Sequence, residues 1–540
     1  MNINNKNKIV NIDDIFNNPS TDANVLFATC CTPEDKGELK KFAKRYLDEF
    51  YFIRNVNGKS VILKPVYTTK KIKKEDGTEA NRESLKYIFI SHRDFKESCI
   101  KDHFQVKQLN RFEKMEVKKV NYADFWIDTK TDLCRSFEST VFDPSPDFND
   151  NTVFNMWTGY VEPKKGNVQP FLDHISNLIN DPIQEDHLIK LIAYTVRHPH
   201  IQVGTSMVFI GIQGCGKTTI SETIREMCPN HSSVVADLER DLLGQFNEEY
   251  VNTKYFIHEE SSWAGDKKTA NKLKDMITGE TRKSGIKYMN GVVLDNYGFH
   301  IFTSNSDNPI NVENGDRRFN IFSCGSKMVG NSKYFDDYYA WLKTDGKHAL
   351  VHYFKNEIDL SNFNPKKILK STAHDLVKAN NLNPVNKYLL ELLRTEIEWK
   401  YVDEKLDGST LSYYWENNPL KISRNLAYEG FMEFCQNHSE SGKLRDWTQS
   451  KFTAELAKIF KFPNGFNSNW KNKGVSFYKL PELEICRTMF CENIGATEEG
   501  IFGTSQLVKK MKMMVLDNKK KADESNEQKK IDSLGVKNGK

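Results

Sequence analysis

The sequence predicts an α/β protein with a parallel-sheet core that is flanked by two other domains. The first observation is that short, wholly apolar runs such as Met207–Ile210 are typical of buried strands in a parallel sheet. The second is that helical periodicity follows such a run from Thr219 to Met227. The third is that short β-like runs precede this core and a helix-rich pattern follows it. We therefore expect an N-terminal α+β domain and a C-terminal helical part that contains a winged-helix-like domain.

Bulk composition limits the class of protein. The chain has 540 residues, which is enough for two to four domains, and its net charge of +4 is too small to imply nucleic acid by itself. No apolar run approaches the ~20 residues that a membrane span needs, and the N-terminus lacks the apolar core of a signal peptide. The 10 cysteines form no C-x-x-C pair. We expect an intracellular, non-secreted protein with free thiols and no zinc module.

Composition and periodicity divide the chain into seven expected segments. They are a disordered leader (1–24), an α+β domain (25–165), a helical linker (166–200), the nucleotide-binding core (201–330), a helical region (331–400), a winged-helix-like domain (401–495) and a largely disordered tail (496–540).

A phosphate-binding loop of the pattern G-x-x-x-x-G-K-[ST] follows the first core strand. Its specified positions are held by Gly211, Gly216, Lys217 and Thr218. Glycines let backbone N–H groups converge on a phosphate, and the next helix adds its positive dipole end. The pattern predicts that Lys217 reaches the β- and γ-phosphates of ATP and that the Thr218 hydroxyl binds Mg²⁺. The expected ATP-binding residues are Gly211, Gln213, Gly214, Cys215, Gly216, Lys217, Thr218 and Thr219.

A second apolar strand, Tyr255–His258, ends in two acids, Glu259 and Glu260. Such a pair is common at strand ends, but its position ~40 residues after the loop makes it specific. We expect Glu259 to bind the metal or its water, and Glu260 to polarise the water that attacks the γ-phosphate. His258 is expected to be a strand residue and not a ligand.

Two further signals complete the expected catalytic set. The strand Gly298–Ser304 is followed by Asn305, whose amide is suited to orient a lytic water beside the γ-phosphate. Beyond it, Arg317 and Arg318 are poorly placed to reach their own nucleotide. They are suited to act as an arginine finger on a nucleotide held by a neighbouring subunit. The sequence leaves open which of the two arginines does so.

A basic segment lies between these signals. Residues 267–287 contain seven Lys or Arg and two acids, and they read as a helix followed by a β-hairpin. A basic hairpin of this kind suggests a loop that grips a phosphate backbone, although a solvated charged hairpin is the alternative. The candidate DNA-binding residues are Arg282, Lys283 and Lys287, with the choice between the two lysines left open.

The N-terminal domain carries a weaker charge signal. Between Lys64 and Lys119 there are 15 basic and 9 acidic residues, which fits either a solvated loop or a nucleic-acid-facing surface. A primase would need closely spaced carboxylates for two metal ions. The pairs Asp13–Asp14 and Asp128–Asp132 lack a strand context, so we expect no primase site.

In this order the motifs resemble those of the superfamily 3 helicases of viruses, phages and plasmids. The closer likeness is to the phage and poxvirus-type primase-helicase proteins. Walker A corresponds to 211–218, Walker B to 256–260, motif C to 299–305, the approach to the DNA hairpin to 273–280 and the arginine finger to 316–319.

The resemblance implies an AAA+ P-loop NTPase core that binds ATP and Mg²⁺ between the subunits of a ring, usually a hexamer. Single-stranded or forked DNA would pass through the channel and be moved 3′ to 5′. A separate primase or polymerase is a further candidate partner, and no membrane is implied. The expected function is an ATP-dependent DNA helicase that unwinds duplex during replication of a virus, phage or mobile element.

Two other functions remain open at this point. One is an AAA+ replication initiator that does not unwind DNA. The other is a P-loop defence or signalling ATPase whose C-terminal module binds protein. That module, 424–480, has two helices followed by a basic, aromatic hairpin, and a winged helix of this plan either binds DNA or joins domains.

Overall fold

A computed structural model of the chain divides into two compact units. The first unit comprises Met1–Ser261, Asp266–Asn305 and Arg317–Leu369, and the second comprises Ser262–Gly265, Ser306–Asp316 and Lys370–Lys540. The structure describes residues 12–18, 20–73, 79–129, 133–235, 250–259, 267–285, 292–306, 310, 312, 316–395, 401–402, 410–411, 420–438, 447–460, 471–472 and 475–503.

The first unit begins with the α+β part that the sequence predicts. Its helices are α1 (Ile12–Asn17), α2 (Asp22–Thr29), α3 (Pro33–Glu49), α4 (His92–Ser98) and α5 (Tyr122–Thr129). Its strands are β1 (Tyr51–Val56), β2 (Lys59–Lys73), β3 (Glu79–Ile90), β4 (His103–Leu109), β5 (Met115–Asn121), β6 (Ser136–Phe137), β7 (Ser139–Val141) and β8 (Val153–Asn155). The main sheet has the order β3-β2-β1-β6, and β4 pairs with β5 in a separate hairpin.

Helix α3 shows why this part folds where it does. Thr32 and Asp35 form a reciprocal capping box, which satisfies two backbone N–H groups at the start of the helix. The helix then buries one face, formed by Leu39, Phe42, Ala43, Tyr46 and Leu47. The Tyr46 ring packs edge-on against Tyr122 of α5 at 4.8 Å between centroids.

The expectation of a disordered leader over 1–24 is wrong for residues 12–18 and 20–24. Helix α1 buries Ile15 and Phe16, and the Thr21 hydroxyl donates to the Ile15 carbonyl at 2.9 Å. The Phe16 ring also lies 5.0 Å from the Phe27 ring of α2. The polar composition of this segment suggested disorder, but its two apolar side chains, Ile15 and Phe16, are buried in a small core.

The core of the first unit is a five-stranded parallel sheet between helices. Its helices are α6 (Gln169–Ile179), α7 (Pro182–Arg197), α8 (Lys217–Met227), α9 (Lys267–Thr278), α10 (Ser332–Trp341) and α11 (Lys347–Asn356). Its strands are β9 (Ser206–Ile210), β10 (Ser232–Val235), β11 (Tyr255–His258), β14 (Phe299–Ser304) and β15 (Phe319–Ser323), and a hairpin is formed by β12 (Thr281–Ser284) and β13 (Val292–Asp295).

The order of strands in the core sheet is β10-β11-β14-β9-β15, and every neighbouring pair is parallel. All residues of β9, β11 and β14 are buried, as expected for strands covered on both faces. In parallel sheets the carboxyl ends of the strands meet at one edge, where ligands usually bind. That edge carries the residues that follow β9, β11 and β14.

The second unit contains helices and three small β-ladders. Its helices are α12 (Thr372–Asn380), α13 (Pro384–Thr395), α14 (Arg424–Asn437), α15 (Gln449–Ile459), α16 (Leu483–Ile494) and α17 (Glu498–Phe502). Its strands are β16 (Tyr401–Val402), β17 (Thr410–Leu411), β18 (Leu420–Ser423), β19 (Lys471–Asn472) and β20 (Val475–Leu480). Helices α14 and α15 separate β18 from the β19–β20 hairpin, and the three strands form one sheet in the order β18-β20-β19.

Two expected boundaries differ from the structure. The helical region 331–400 is divided, because α10 and α11 belong to the first unit whereas α12 and α13 belong to the second. The expectation of a disordered tail from residue 496 is wrong for residues 498–502, since α17 buries Ile501 in the core of the second unit. Among the helices that the structure describes, none is long and apolar enough to cross a membrane.

Candidate nucleotide-binding site

The loop between β9 and α8 requires glycine at several positions. The Gly211 N–H donates to the Ser304 carbonyl at 3.2 Å, and a Cβ at Gly211 would lie 2.8 Å from the Cys324 carbonyl oxygen. Gly214 and Gly216 have φ angles of +75° and +106°, which other residues rarely adopt. The backbone therefore curls tightly just before the amino end of α8.

His174 of helix α6 packs against this turn of the loop. A Cβ at Gly216 would lie 2.6 Å from His174 Cε1. His174 Nε2 lies 3.1 Å from the Gly216 carbonyl, and Nδ1 lies 3.0 Å from the Tyr334 hydroxyl. Because a carbonyl only accepts, Nε2 carries the hydrogen, and Nδ1 accepts from the tyrosine. Burial lowers the pKa of His174 to about 4, so the ring is neutral near pH 7.

Lys217 connects the loop to the neighbouring strand. Its ammonium donates to the carbonyls of Gly211 and Ile212 at 2.6 Å and 2.8 Å and to Asn305 Oδ1 at 2.9 Å. The residue is 6% exposed. These three acceptors are neutral, and the Cys215 sulfur lies 3.7 Å from the same ammonium.

The two threonines that follow Lys217 face different surroundings. Thr218 is exposed in the first turn of α8. Thr219 is 2% exposed, and its hydroxyl lies 3.2 Å from the Tyr339 hydroxyl of α10. One turn later the Thr223 hydroxyl lies 2.7 Å from the Tyr338 hydroxyl. Helix α8 is thus held against α10 by paired hydroxyls, while Thr218 faces outward.

The carboxyl edge of the sheet brings three sequence-predicted positions together. Ser304 pairs with Ile210, so Asn305 and Gly211 follow neighbouring strands at the same level. His258 pairs with Phe302, which places Glu259 at the same edge, where it is exposed. Glu260 lies outside the described residues, and Gln213 is exposed on the loop. His258 is a buried strand residue, as expected, and its Nε2 lies 3.0 Å from His300 Nδ1.

The paired arginines lie at the opposite edge. The Ser206 N–H donates to the Arg318 carbonyl at 2.7 Å, which places Arg317 and Arg318 at the amino ends of β15 and β9. Arg317 is exposed. Strand β9 has 5 residues, so the arginines are separated from the phosphate-binding loop by about 16 Å along the sheet.

A pair of thiols lies beneath the loop. A Cβ at Gly211 would be 2.9 Å from the Cys324 Cβ and 3.4 Å from the Cys215 Sγ, so both cysteines pack on the same glycine. A hydrogen bond from the Cys324 thiol, together with the Lys217 ammonium 3.7 Å away, lowers the pKa of Cys215 to about 6. Sequence reasoning did not find Cys324 or His174, because only the folded chain brings them to the loop.

The basic hairpin has two faces with different roles. Arg282 pairs with the buried Leu294, whereas Lys283 pairs with Val293, which is 59% exposed. The expectation that Arg282 contacts DNA is wrong, since its guanidinium donates to the Val251 carbonyl at 3.0 Å and lies 5.4 Å from the Phe256 ring. The physical reason is the alternation of side chains along a strand. Lys283 is exposed, and Lys287 lies outside the described residues.

A family model matches the region of this site. Residues 209–318 match a family of unknown function (DUF5906). The chain is 28% identical over 226 residues to the DNA primase-polymerase of Nitratiruptor phage NrS-1, a match that covers 38% of this chain and 29% of that protein. The chain is thus homologous to part of a phage DNA primase-polymerase, and it spans less than a third of the length of that relative.

Solved structures of the NrS-1 C-terminal region are also similar to the chain. The A form apo structure of residues 305–718 has a TM-score of 0.51 at 16% identity, and the match covers 82% of this chain and 98% of that one. Another apo structure of the region has a TM-score of 0.44 at 18% identity and covers 62% of this chain and 75% of that one. The first of these likenesses shows a shared fold.

Proposed function

We propose that this chain is an ATP-dependent DNA helicase that acts in phage DNA replication, with the first unit as its AAA+ motor. The observation that carries the proposal is the hydrogen bond from the Lys217 ammonium to Asn305 Oδ1 at 2.9 Å. This bond lies beside a glycine loop that leads into a helix. A lysine held between a phosphate-binding loop and a neighbouring strand end is the arrangement that a nucleotide-hydrolysing site requires. The homology to a phage DNA primase-polymerase supports the role in replication.

Each residue at the carboxyl edge has a part in this proposal. Lys217 binds the β- and γ-phosphates of ATP in exchange for the loop carbonyls that now accept from it. Asn305 orients the attacking water beside the γ-phosphate, and Glu260 keeps the role of polarising that water. Because Lys217 joins the phosphate-binding loop to the end of β14, binding of phosphate to Lys217 directly changes the surroundings of Asn305.

The residues also fit a Mg²⁺ ion. The exposed Thr218 hydroxyl and the exposed Glu259 carboxylate are oxygen ligands of the kind that Mg²⁺ prefers, and both belong to the carboxyl edge of the sheet. When bound, Mg²⁺ supplies positive charge to the phosphate oxygens. Glu259 and Thr218 are the residues that would hold it.

The position of the arginines favours a ring. Arg317 and Arg318 are about 16 Å along the sheet from the loop of their own subunit, at the edge where a neighbouring subunit would present its nucleotide. An arginine that acts in this way requires an oligomer, and closed rings are how head-to-tail contacts terminate. We propose a homo-oligomeric ring, with a hexamer as the expected size.

DNA contact is assigned to the solvent-facing side of the β12–β13 hairpin. Lys283 lies on that side and can pair with a phosphate of single-stranded DNA. Lys287 remains the second candidate from the sequence. Movement of the strand 3′ to 5′ through the ring follows from the resemblance to superfamily 3 helicases.

The decisive experiment measures steady-state ATPase activity with and without single-stranded DNA. We expect DNA to stimulate the wild-type protein and to have little effect on a Lys283→Ala/Lys287→Ala variant whose basal rate is normal. A wild-type ATPase that ignores DNA would favour a signalling ATPase. Stimulation by DNA without strand displacement on a forked duplex would favour a replication initiator.

A further inference from the structure

The β4–β5 hairpin of the N-terminal part projects an exposed surface that the motor does not use. At its base β4 is anchored, because Phe104 and Val106 are 2% and 4% exposed in the core beside α3. The Gln105 N–H donates to the Asp35 carboxylate at 2.9 Å, and its carbonyl accepts from Cys31 at 3.0 Å. The outer half of the hairpin is therefore held in a fixed direction.

One face of the hairpin is both apolar and basic. Leu109 pairs with Met115, and both are 63% exposed. Val117, which is 59% exposed, follows Met115 on the same face and pairs with Lys107. One step further, Lys119 pairs with Gln105. Opposite residues of an antiparallel pair share a face, so the apolar residues Leu109, Met115 and Val117 adjoin Lys107 and Lys119 on one face.

The turn presents an aromatic ring in an ordered geometry. The Asn110 side-chain oxygen accepts from the N–H groups of Phe112 and Lys114 at 2.9 Å and 3.1 Å. Phe112 is 66% exposed, and the Arg111 guanidinium lies 4.8 Å from its ring centroid. An exposed aromatic ring on an ordered turn, with a planar cation beside it, is a platform on which a base can stack.

The positive charge of the β4–β5 hairpin indicates which kind of molecule it binds. From His103 to Asn121 it carries five Lys or Arg and two Glu. The basic residues Lys107, Arg111, Lys114, Lys118 and Lys119 are all exposed. An apolar and aromatic surface edged by cations matches the bases and phosphates of an unpaired strand, and a second copy of the same surface would bring the same positive charge to it.

We propose that the β4–β5 hairpin is a second nucleic-acid site that binds single-stranded DNA, with Phe112 stacking on a base and Lys107 and Lys119 binding phosphates. The site is separate from the ATPase core and does not depend on nucleotide. Through it, the N-terminal part of the chain binds the DNA strand independently of the β12–β13 hairpin.

The test is equilibrium binding of a fluorescent oligo-dT to the full chain without nucleotide. Phe112→Ala should weaken binding roughly tenfold, since stacking on an aromatic side chain contributes strongly per base. Lys107→Ala/Lys119→Ala should reduce the slope of log affinity against log salt by about 1.4, because each phosphate contact in a single strand contributes about 0.7. An unchanged thermal unfolding midpoint shows that the exposed substitutions leave the fold intact.

Two matched substitutions control for exposure and charge. Tyr67 of β2 is 68% exposed, and Lys101 is an exposed lysine just before β4. Tyr67→Ala and Lys101→Ala should bind DNA as the wild type does. Hairpin variants that bind DNA normally, or no worse than these controls, would overturn the proposal. So would self-association that Leu109→Ser/Met115→Ser abolishes while DNA binding persists.

Failure of the hairpin proposal can also be distinguished from failure of the proposed motor function. If the chain has no DNA-stimulated ATPase but loses oligo-dT on substitution of Phe112, the motor fails and the hairpin site stands. If Lys283→Ala removes all binding and Phe112→Ala removes none, the hairpin site fails and the motor stands.

Discussion

The Lys217 ammonium lies 2.9 Å from the side-chain oxygen of Asn305, so one hydrogen bond joins the phosphate-binding loop to the end of β14. The same ammonium also donates to two loop carbonyls, those of Gly211 and Ile212. No carboxylate is among these three contacts. The lysine is therefore held in place without a carboxylate partner, and the Cys215 sulfur 3.7 Å away is the acidic group beside it.

Lys217→Ala should abolish ATP hydrolysis, with a fall in kcat/KM of at least about a hundredfold, because a preorganised cation is lost from the phosphate site. Steady-state ATPase measurements check this. Lys190→Ala is the matched control, since that lysine lies on α7 in an i,i+4 ion pair with Asp186 at 2.8 Å, away from the loop. A Lys217→Ala protein that hydrolyses ATP at the normal rate would contradict the assignment of this loop as the phosphate-binding site.

Asn305 offers a sharper pair of variants. Asn305→Ala removes the group that orients water, and kcat should fall about a hundredfold with a smaller change in KM. Asn305→Asp instead places a carboxylate within reach of the Lys217 ammonium, so the new ion pair competes with phosphate and KM for ATP should rise as well. Equal effects of the two substitutions on KM would contradict a direct link between Asn305 and Lys217.

The parts of this site that were predictable from sequence are those set by local patterns. The loop glycines, Lys217 and the polar residues after β11 and β14 follow from strand ends and spacing. The contacts of His174, Cys324 and Arg282 were not predictable, because they depend on which side of an element faces a distant neighbour. Arg282 shows this most clearly, since one step along β12 separates a buried guanidinium from the exposed Lys283.

The thiol of Cys215 should react as a thiolate near neutral pH. The Cys324 hydrogen bond and the Lys217 charge lower its pKa to about 6, whereas burial raises the pKa of Cys228 above its usual range. Because Cys215 is 2% exposed, its alkylation by iodoacetamide should be slow at every pH, but the rate followed by mass spectrometry should be half-maximal near pH 6. ATP should protect it, because the proposed phosphate site encloses this loop.

Cys324→Ala is the control for the cause of that shift. Loss of its hydrogen bond should move the alkylation profile of Cys215 to higher pH. A Cys215 that labels no faster at pH 7 than Cys228 would contradict the interpretation of the thiol pair.

Acid should destabilise the first unit through its buried histidines. Burial lowers the pKa of His174 to about 4, while an unfolded histidine has a pKa of about 6.5. The unfolded chain thus binds one more proton at this residue between those values, so the stabilising contribution is complete above pH 6.5 and is lost as the pH falls towards 4. The pKa values of His231 and His300 are lowered in the same direction by burial.

His174→Gln should therefore make the free energy of unfolding less dependent on pH in this window, by about 1.4 kcal/mol per pH unit. Denaturant unfolding at several pH values between 4 and 7 measures the slope. Parallel curves for the variant and the wild type would show that His174 is not held neutral. The variant should also raise KM for ATP, since the Gly216 carbonyl loses the ring that fixes it.

The placement of the arginines at the sheet edge opposite the loop predicts complementation between inactive subunits. An Arg317→Ala subunit keeps its own loop, and a Lys217→Ala subunit keeps its arginines, so a mixed ring contains some interfaces that combine Lys217 with Arg317. For random mixing in equal amounts, about a quarter of the interfaces are complete, and the ATPase rate should recover to about a quarter of the wild-type value. The same mixture with Arg318→Ala tells which arginine reaches the neighbour. If neither mixture recovers activity while each variant still assembles, the arginines do not act across a subunit interface.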